Sequence, residues 1–135
     1  MTQMEASPPT DRTPATLHER AEQLVLDTVT EASAEGVVLA LDGSVETATL
    51  AAVATDALGP DSVTALVMPA FLTSEAAARD AEIIAQGLGL TPQRVQLQPL
   101  LGAFREAMDE TGVSADDTVA VENALARFRM VCRYY

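Results

Sequence analysis

Apolar and small positions recur at helical spacing from Leu17 onward, with Leu17, Ala21, Leu24, Val25, Thr28, Val29 and Ala32 on one face. Thr16 and Glu19, three residues apart, form a capping box, so the pattern predicts an amphipathic helix beginning at Thr16. The period then changes. Residues 37–41 form a short apolar run rich in β-branched residues, suitable for a parallel strand covered on both faces. Residues 47–58 return to helical spacing with alanine at most inward positions, which allows close approach to a sheet, and Gly59 followed by Pro60 ends that helix.

The alternation continues down the chain. Residues 63–68, VTALVM, read as a second strand stopped by Pro69, and Ser74 caps a helix whose predicted buried stripe is Ala77, Ala81, Ile84 and Leu88. Residues 94–98, RVQLQ, alternate and are more polar, as suits a third strand nearer an edge. Pro99 fits the first turn of a fourth helix, and Gly112 marks its exit. Asp116 or Asp117 caps a last helix with Val121, Leu125, Phe128 and Cys132 on one face and Asn123, Arg127, Met130 and Tyr134 on another. Strand and helix in regular turn predict an α/β fold with a small parallel sheet. The second face of the last helix predicts a further neighbour, such as another subunit.

Length limits this to one domain: residues 1–15, with Pro8, Pro9 and Pro14, read as a loose tail, and residues 16–135 as the folded unit. Hydrophobic residues make up 48% of the chain but aromatics only 4%, so the core is built from small and medium side chains. Twenty acidic residues against eight basic ones give a net charge of -12, which argues against nucleic acid and anionic lipid as partners. All eight basic residues are arginine, a composition that resembles proteins of high-salt cytoplasm. The single cysteine, Cys132, excludes an internal disulfide and a multi-cysteine metal site. With no stretch of membrane-spanning length and no secretion signal, the protein reads as soluble and cytoplasmic. His18, beside the helix cap, reads as a solvated side chain, and nothing in the sequence suggests a Ser-His-Asp triad or a zinc cluster.

The chemistry concentrates in LDGSVETATL, residues 41–50, between the first strand and the helix after it. Such a turn directs unpaired backbone N–H groups and the positive end of the helix dipole at one spot, which favours an anion. Gly43 permits close backbone approach, and Ser44 and Thr47 offer hydroxyls. The same features also describe an ordinary strand-to-helix turn.

GVVLALDGSVETATLAAVATDALGPDSVTALVMP resembles the opening of ammonia-dependent NAD synthetases, members of the ATP-pyrophosphatase group. In that family a Ser-Gly-Gly-x-Asp-Ser loop grips the phosphates of ATP. Asp42 stands at the first serine, Gly43 at the first glycine, Ser44 at the second, Glu46 at the aspartate and Thr47 at the last serine. ENALARFRMVCRYY resembles the family's Gly-Asn-x-x-Ala-Arg-x-Arg-Met helix, keeping Asn123, Ala126, Arg127, Arg129 and Met130, with Glu122 in place of the glycine.

The resemblance implies a three-layer, Rossmann-like small parallel sheet of the adenine nucleotide hydrolase-like type. It implies ATP phosphate contacts from Asp42, Gly43, Ser44, Thr47 and Arg127, magnesium at Glu46, and deamido-NAD as the second ligand. Arg129 is expected to support a subunit interface. In the family reaction ATP activates the nicotinate carboxylate as an adenylate and ammonia displaces AMP. Two replacements bear on this: Ser44 puts a side chain where backbone and phosphate meet, and Asp42 adds charge of the wrong sign for an anion. Family members also continue beyond the tyrosine pair into further strands and functional lysines. Three readings follow. The first is an adenine-nucleotide or dinucleotide-binding domain, weak or inactive alone. The second is an ammonia-dependent NAD synthetase completed by another chain; the partner expected for the chain is a second copy in a homo-oligomer or a complementing chain. The third is a non-catalytic oligomerisation or regulatory protein. No catalytic residue is assigned.

Overall fold

A computed structural model describes residues 12–71, 74–112 and 117–135. Its elements are α1 (Pro14–Glu31), β1 (Val37–Leu41), α2 (Val45–Leu58), a 3-10 turn (Pro60–Ser62), β2 (Val63–Val67), α3 (Glu75–Gly87), β3 (Gln93–Arg94), α4 (Gln98–Asp109) and α5 (Thr118–Tyr134). The strands form a parallel sheet in the order β1-β2-β3, with Val37 opposite Val63 and Leu66 opposite Gln93.

Side chains alternate across a strand, so the sheet presents two apolar faces. Leu39, Leu41, Val63, Ala65 and Val67 pack with Ala51 and Ala54 of α2 and Ala78, Ala81 and Ala85 of α3. Leu66 and Met68 point the other way, onto Leu97, Leu101 of α4 and Leu125 of α5. Helices therefore cover both faces, giving a three-layer α/β fold of the Rossmann-like kind. Alanine at the α2 and α3 contacts leaves no bulk between helix and strand, which brings the helix backbones close to the sheet. Val121, Phe128 and Cys132 pack where the last-helix pattern places them, and Phe104 of α4 meets Phe128 edge to face at 5.5 Å.

Three local expectations shift. Helix α1 begins at Pro14, inside the stretch read as tail, because Thr13 accepts the Thr16 amide and a proline in the first turn loses no helical hydrogen bond. Residues 1–11, and Asp116 as a cap, lie outside the described residues; Asp117 caps α5 by accepting the Val119 and Ala120 amides. The face α1 turns inward holds His18, Ala21, Glu22, Val25 and Val29, while Leu24 is 67% exposed. In α3 the buried stripe is Ala78, Ala81 and Ala85, with Ala77 exposed.

The third strand is shorter than RVQLQ suggests. Gln93 and Arg94 pair with β2, after which the Val95 and Leu97 amides still donate to the Val67 and Pro69 carbonyls. Leu97 has already turned into helical geometry as the cap of α4, which ends the extended run. Arg94 ties this edge to α3 through Glu75 and Glu82. No helix among the described residues is long and apolar enough to cross a membrane.

Candidate functional site

The turn after β1 is held by its own polar groups. Ser44 caps α2 by accepting the Thr47 amide at 3.3 Å. The Asp42 carboxylate accepts the Ser44 amide at 2.9 Å and the Thr47 hydroxyl at 2.8 Å, both on the same oxygen. The Asp42 amide in turn donates to the Thr47 hydroxyl oxygen at 3.3 Å. These are the backbone and hydroxyl donors that such a turn offers an anion, and here a side-chain carboxylate engages them. The Ser44 side chain, opposed by partial burial and reinforced by the Ser44 amide and the Thr47 hydroxyl, holds the Asp42 carboxyl below its ordinary value.

Gly43 makes this turn sterically feasible. Its φ of +85° lies in the left-handed region, and a side-chain carbon there would come within 2.9 Å of the Ala77 carbonyl oxygen. The packing of α3 against the loop thus requires glycine at this position.

Beside the loop lies an open cleft of about 550 Å³ that runs along β1 and the ends of β2 and α3 to α5. Asp42, Thr47, Ser74, Arg129 and Arg133 supply its polar wall. Arg129 donates to the Met68 carbonyl at 3.3 Å, which anchors its guanidinium at the end of β2. Neither arginine has a carboxylate within ion-pair distance among the described residues. Two guanidiniums with no carboxylate partner among the described residues line the same cleft as this turn, in a chain of charge -12.

Of the residues singled out from the sequence, Asp42 and Thr47 line the cleft, while Gly43 and Ser44 shape the turn. Glu46 is exposed on the first turn of α2 and Arg127 is exposed on α5; neither belongs to the cleft wall. Arg129 lies in the wall, and Arg133 joins it from one helical turn further on. The i,i+4 spacing of these two was the readable signal for a shared face, one that a motif ending at Met130 hides.

The donor set accommodates phosphate incompletely as it stands, because Asp42 occupies two donors and Ser44 a third. The arginines suit an anion. Asp42 is the carboxylate that faces the cleft, so a cation accompanying phosphate would meet Asp42 before Glu46.

Residues 17–135 match the NAD synthase family. The chain belongs to that family. Among curated relatives, the NH(3)-dependent NAD(+) synthetase of Halobacterium salinarum is 35% identical over 117 residues, covering 87% of this chain and 42% of that protein. The enzyme of the same name from Pyrobaculum aerophilum is 35% identical over 107 residues, covering 79% of this chain and 39% of its own length. This NAD synthase-family chain therefore spans less than half the length of the ammonia-dependent relatives it matches.

Solved structures agree. The NH3-dependent NAD synthetase of Campylobacter jejuni, in complex with nitrate, superposes with a TM-score of 0.78 at 29% identity, over 89% of this chain and 50% of that one. The glutamine-dependent NAD+ synthetase of Acinetobacter baumannii, in complex with ADP, gives 0.82 at 28% identity, over 96% and 24%. The sheet with helices on both faces is thus the arrangement these synthetases share.

Proposed function

We propose that this chain is an NAD synthetase-like domain that binds an adenine nucleotide or dinucleotide in the cleft beside β1, weakly because Asp42 competes for the loop donors. One observation carries the reading: the Asp42 carboxylate engages the Ser44 amide and Thr47 hydroxyl while Arg129 and Arg133 stand without carboxylate partners among the described residues. The arginines attract phosphate and the carboxylate repels it. Binding then requires Asp42 to leave its partners, or a magnesium ion to offset its charge. Family membership supports ATP as the nucleotide, and the ADP bound to the Acinetobacter relative supports an adenine base.

Titration of the purified protein with magnesium-ATP tests this reading. Weak, saturable binding that strengthens in Asp42→Ser supports it, and no binding to either protein overturns it.

A second reading is that the chain forms part of an ammonia-dependent NAD synthetase completed by another polypeptide. The observation in its favour is β1 itself: this wholly apolar strand has a sheet neighbour on one side, and Val38 remains 47% exposed along the cleft. Central strands of parallel sheets read as continuous apolar runs, whereas edges are usually polar or charged. Conversion of deamido-NAD to NAD with ATP, magnesium and ammonia, only when a partner is added, would establish it. Conversion by this chain alone would refute both the weak-domain reading and the need for a partner.

A further inference from the structure

We infer that His18, Glu22 and Asp56 form a binding site for a first-row divalent transition-metal ion, of which zinc is the test case, bridging α1 and α2. His18 and Glu22 lie one turn apart on α1, and Asp56 is in the last turns of α2. The His18 Nε2 atom is 2.6 Å from a Glu22 carboxylate oxygen and 2.9 Å from Asp56 Oδ2. All three donor atoms lie within 4.8 Å of one another. Ligands held about 2.0–2.2 Å from one ion at tetrahedral or octahedral angles stand roughly 3–3.6 Å apart, so small rotamer adjustments suffice.

One imidazole nitrogen thus faces two carboxylate oxygens, an arrangement that a shared N–H can satisfy and that a cation can replace. A cation in place of that hydrogen accepts an electron pair from all three donors. One imidazole with two carboxylates is a set suited to zinc and its neighbours, whereas an all-oxygen set would favour magnesium or calcium. Three protein ligands also leave a position for water, with the surrounding negative charge favouring cation approach.

The site has a mechanical consequence. Helix α1 has no fully buried residue, and Leu17 and Leu24 of this helix are exposed. Among the described residues its main packing partner is α2, and a metal held from both helices would fasten it there further.

The test uses the full chain and zinc chloride alone. Calorimetric titration of wild type should show one zinc ion bound, with affinity lowered roughly a hundredfold in His18→Ala and strongly reduced in Glu22→Gln. Cys132→Ser should bind as wild type does, which separates this site from the thiol. Hydrogen exchange should show added protection of α1 amides on zinc addition in wild type and none in His18→Ala; circular dichroism confirms that the variants fold. Zinc affinity unchanged in His18→Ala, displacement of zinc by equimolar magnesium, or binding without α1 protection would each overturn the inference.

Discussion

The Asp42 carboxylate accepts the Ser44 amide at 2.9 Å, placing a negative charge at the mouth of a turn whose backbone is arranged for an anion. The Thr47 hydroxyl reinforces the same oxygen at 2.8 Å. Asp42→Ser removes the charge, and serine is also the residue of the resembled phosphate loop. Magnesium-ATP affinity should rise by about tenfold, or about 1.4 kcal/mol, as one like-charge contact is relieved near the surface. Calorimetric titration at constant ionic strength checks this, and equal affinity in both proteins would mean that Asp42 does not compete with the nucleotide.

The same contacts set a pH dependence. The folded Asp42 carboxyl titrates below its unfolded counterpart, chiefly through the Ser44 side chain, so ionised Asp42 stabilises the fold above the unfolded value. That contribution disappears as pH falls through the folded value. The stability difference between wild type and Asp42→Asn should be constant above about pH 5 and should change below about pH 4. Urea unfolding of both proteins across this range measures the difference, and a difference independent of pH would show that the hydrogen bonds do not distinguish the two charge states.

Arg129 and Arg133 share the cleft wall, whereas Arg127 lies outside it. Arg129→Ala and Arg133→Ala should each weaken magnesium-ATP binding by about 1–2 kcal/mol, the magnitude of one charge-assisted contact to phosphate. Arg127→Ala should leave it unchanged. Arg129→Lys should recover only part of the loss, since a lysine cannot both hold the Met68 carbonyl and present a planar fork. The reverse ranking, with Arg127 dominant, would place the anion on a different face of α5.

Much of this was legible in the sequence because local chemistry and long-range packing agree there. The apolar run of β1, the Gly59-Pro60 stop, the Asp117 cap and the Val121, Leu125, Phe128 and Cys132 face depend on neighbours within a few residues. What escaped depends on rotation and contact. The inward face of α1 is shifted because α2 supplies its partner: Asp56 pairs with His18, which also pairs with Glu22, on a helix whose Leu17 and Leu24 had marked a different face as apolar. The Asp42 contacts were hidden for a similar reason: the residue could be placed in the loop, but its bonding to the loop's own donors follows from a turn conformation set by Gly43. Arg133 has no match in the motif that drew attention to Arg127, and joins Arg129 only through helix geometry.

Two glycines with nearly equal positive φ differ in what surrounds them. Gly43 has φ +85° and would place a side-chain carbon 2.9 Å from the Ala77 carbonyl, while Gly59 has φ +82° and nothing within 4 Å. Gly59→Ala meets no neighbouring atom, so its cost is that of the backbone alone, about 1–3 kcal/mol for an extended positive-φ conformation (φ +82°, ψ 157°) that only glycine adopts readily. Gly43→Ala carries the strain of its own positive φ and must also push α3 away from the loop, for about 2–4 kcal/mol in all. Denaturant midpoints of the two variants test this directly. The displacement also moves Ala77 and Ser74 at the cleft wall, so magnesium-ATP binding should fall in Gly43→Ala and persist in Gly59→Ala. Equal destabilisation with binding intact in both would show that α3 yields freely, and that its close approach contributes nothing to the shape of the site.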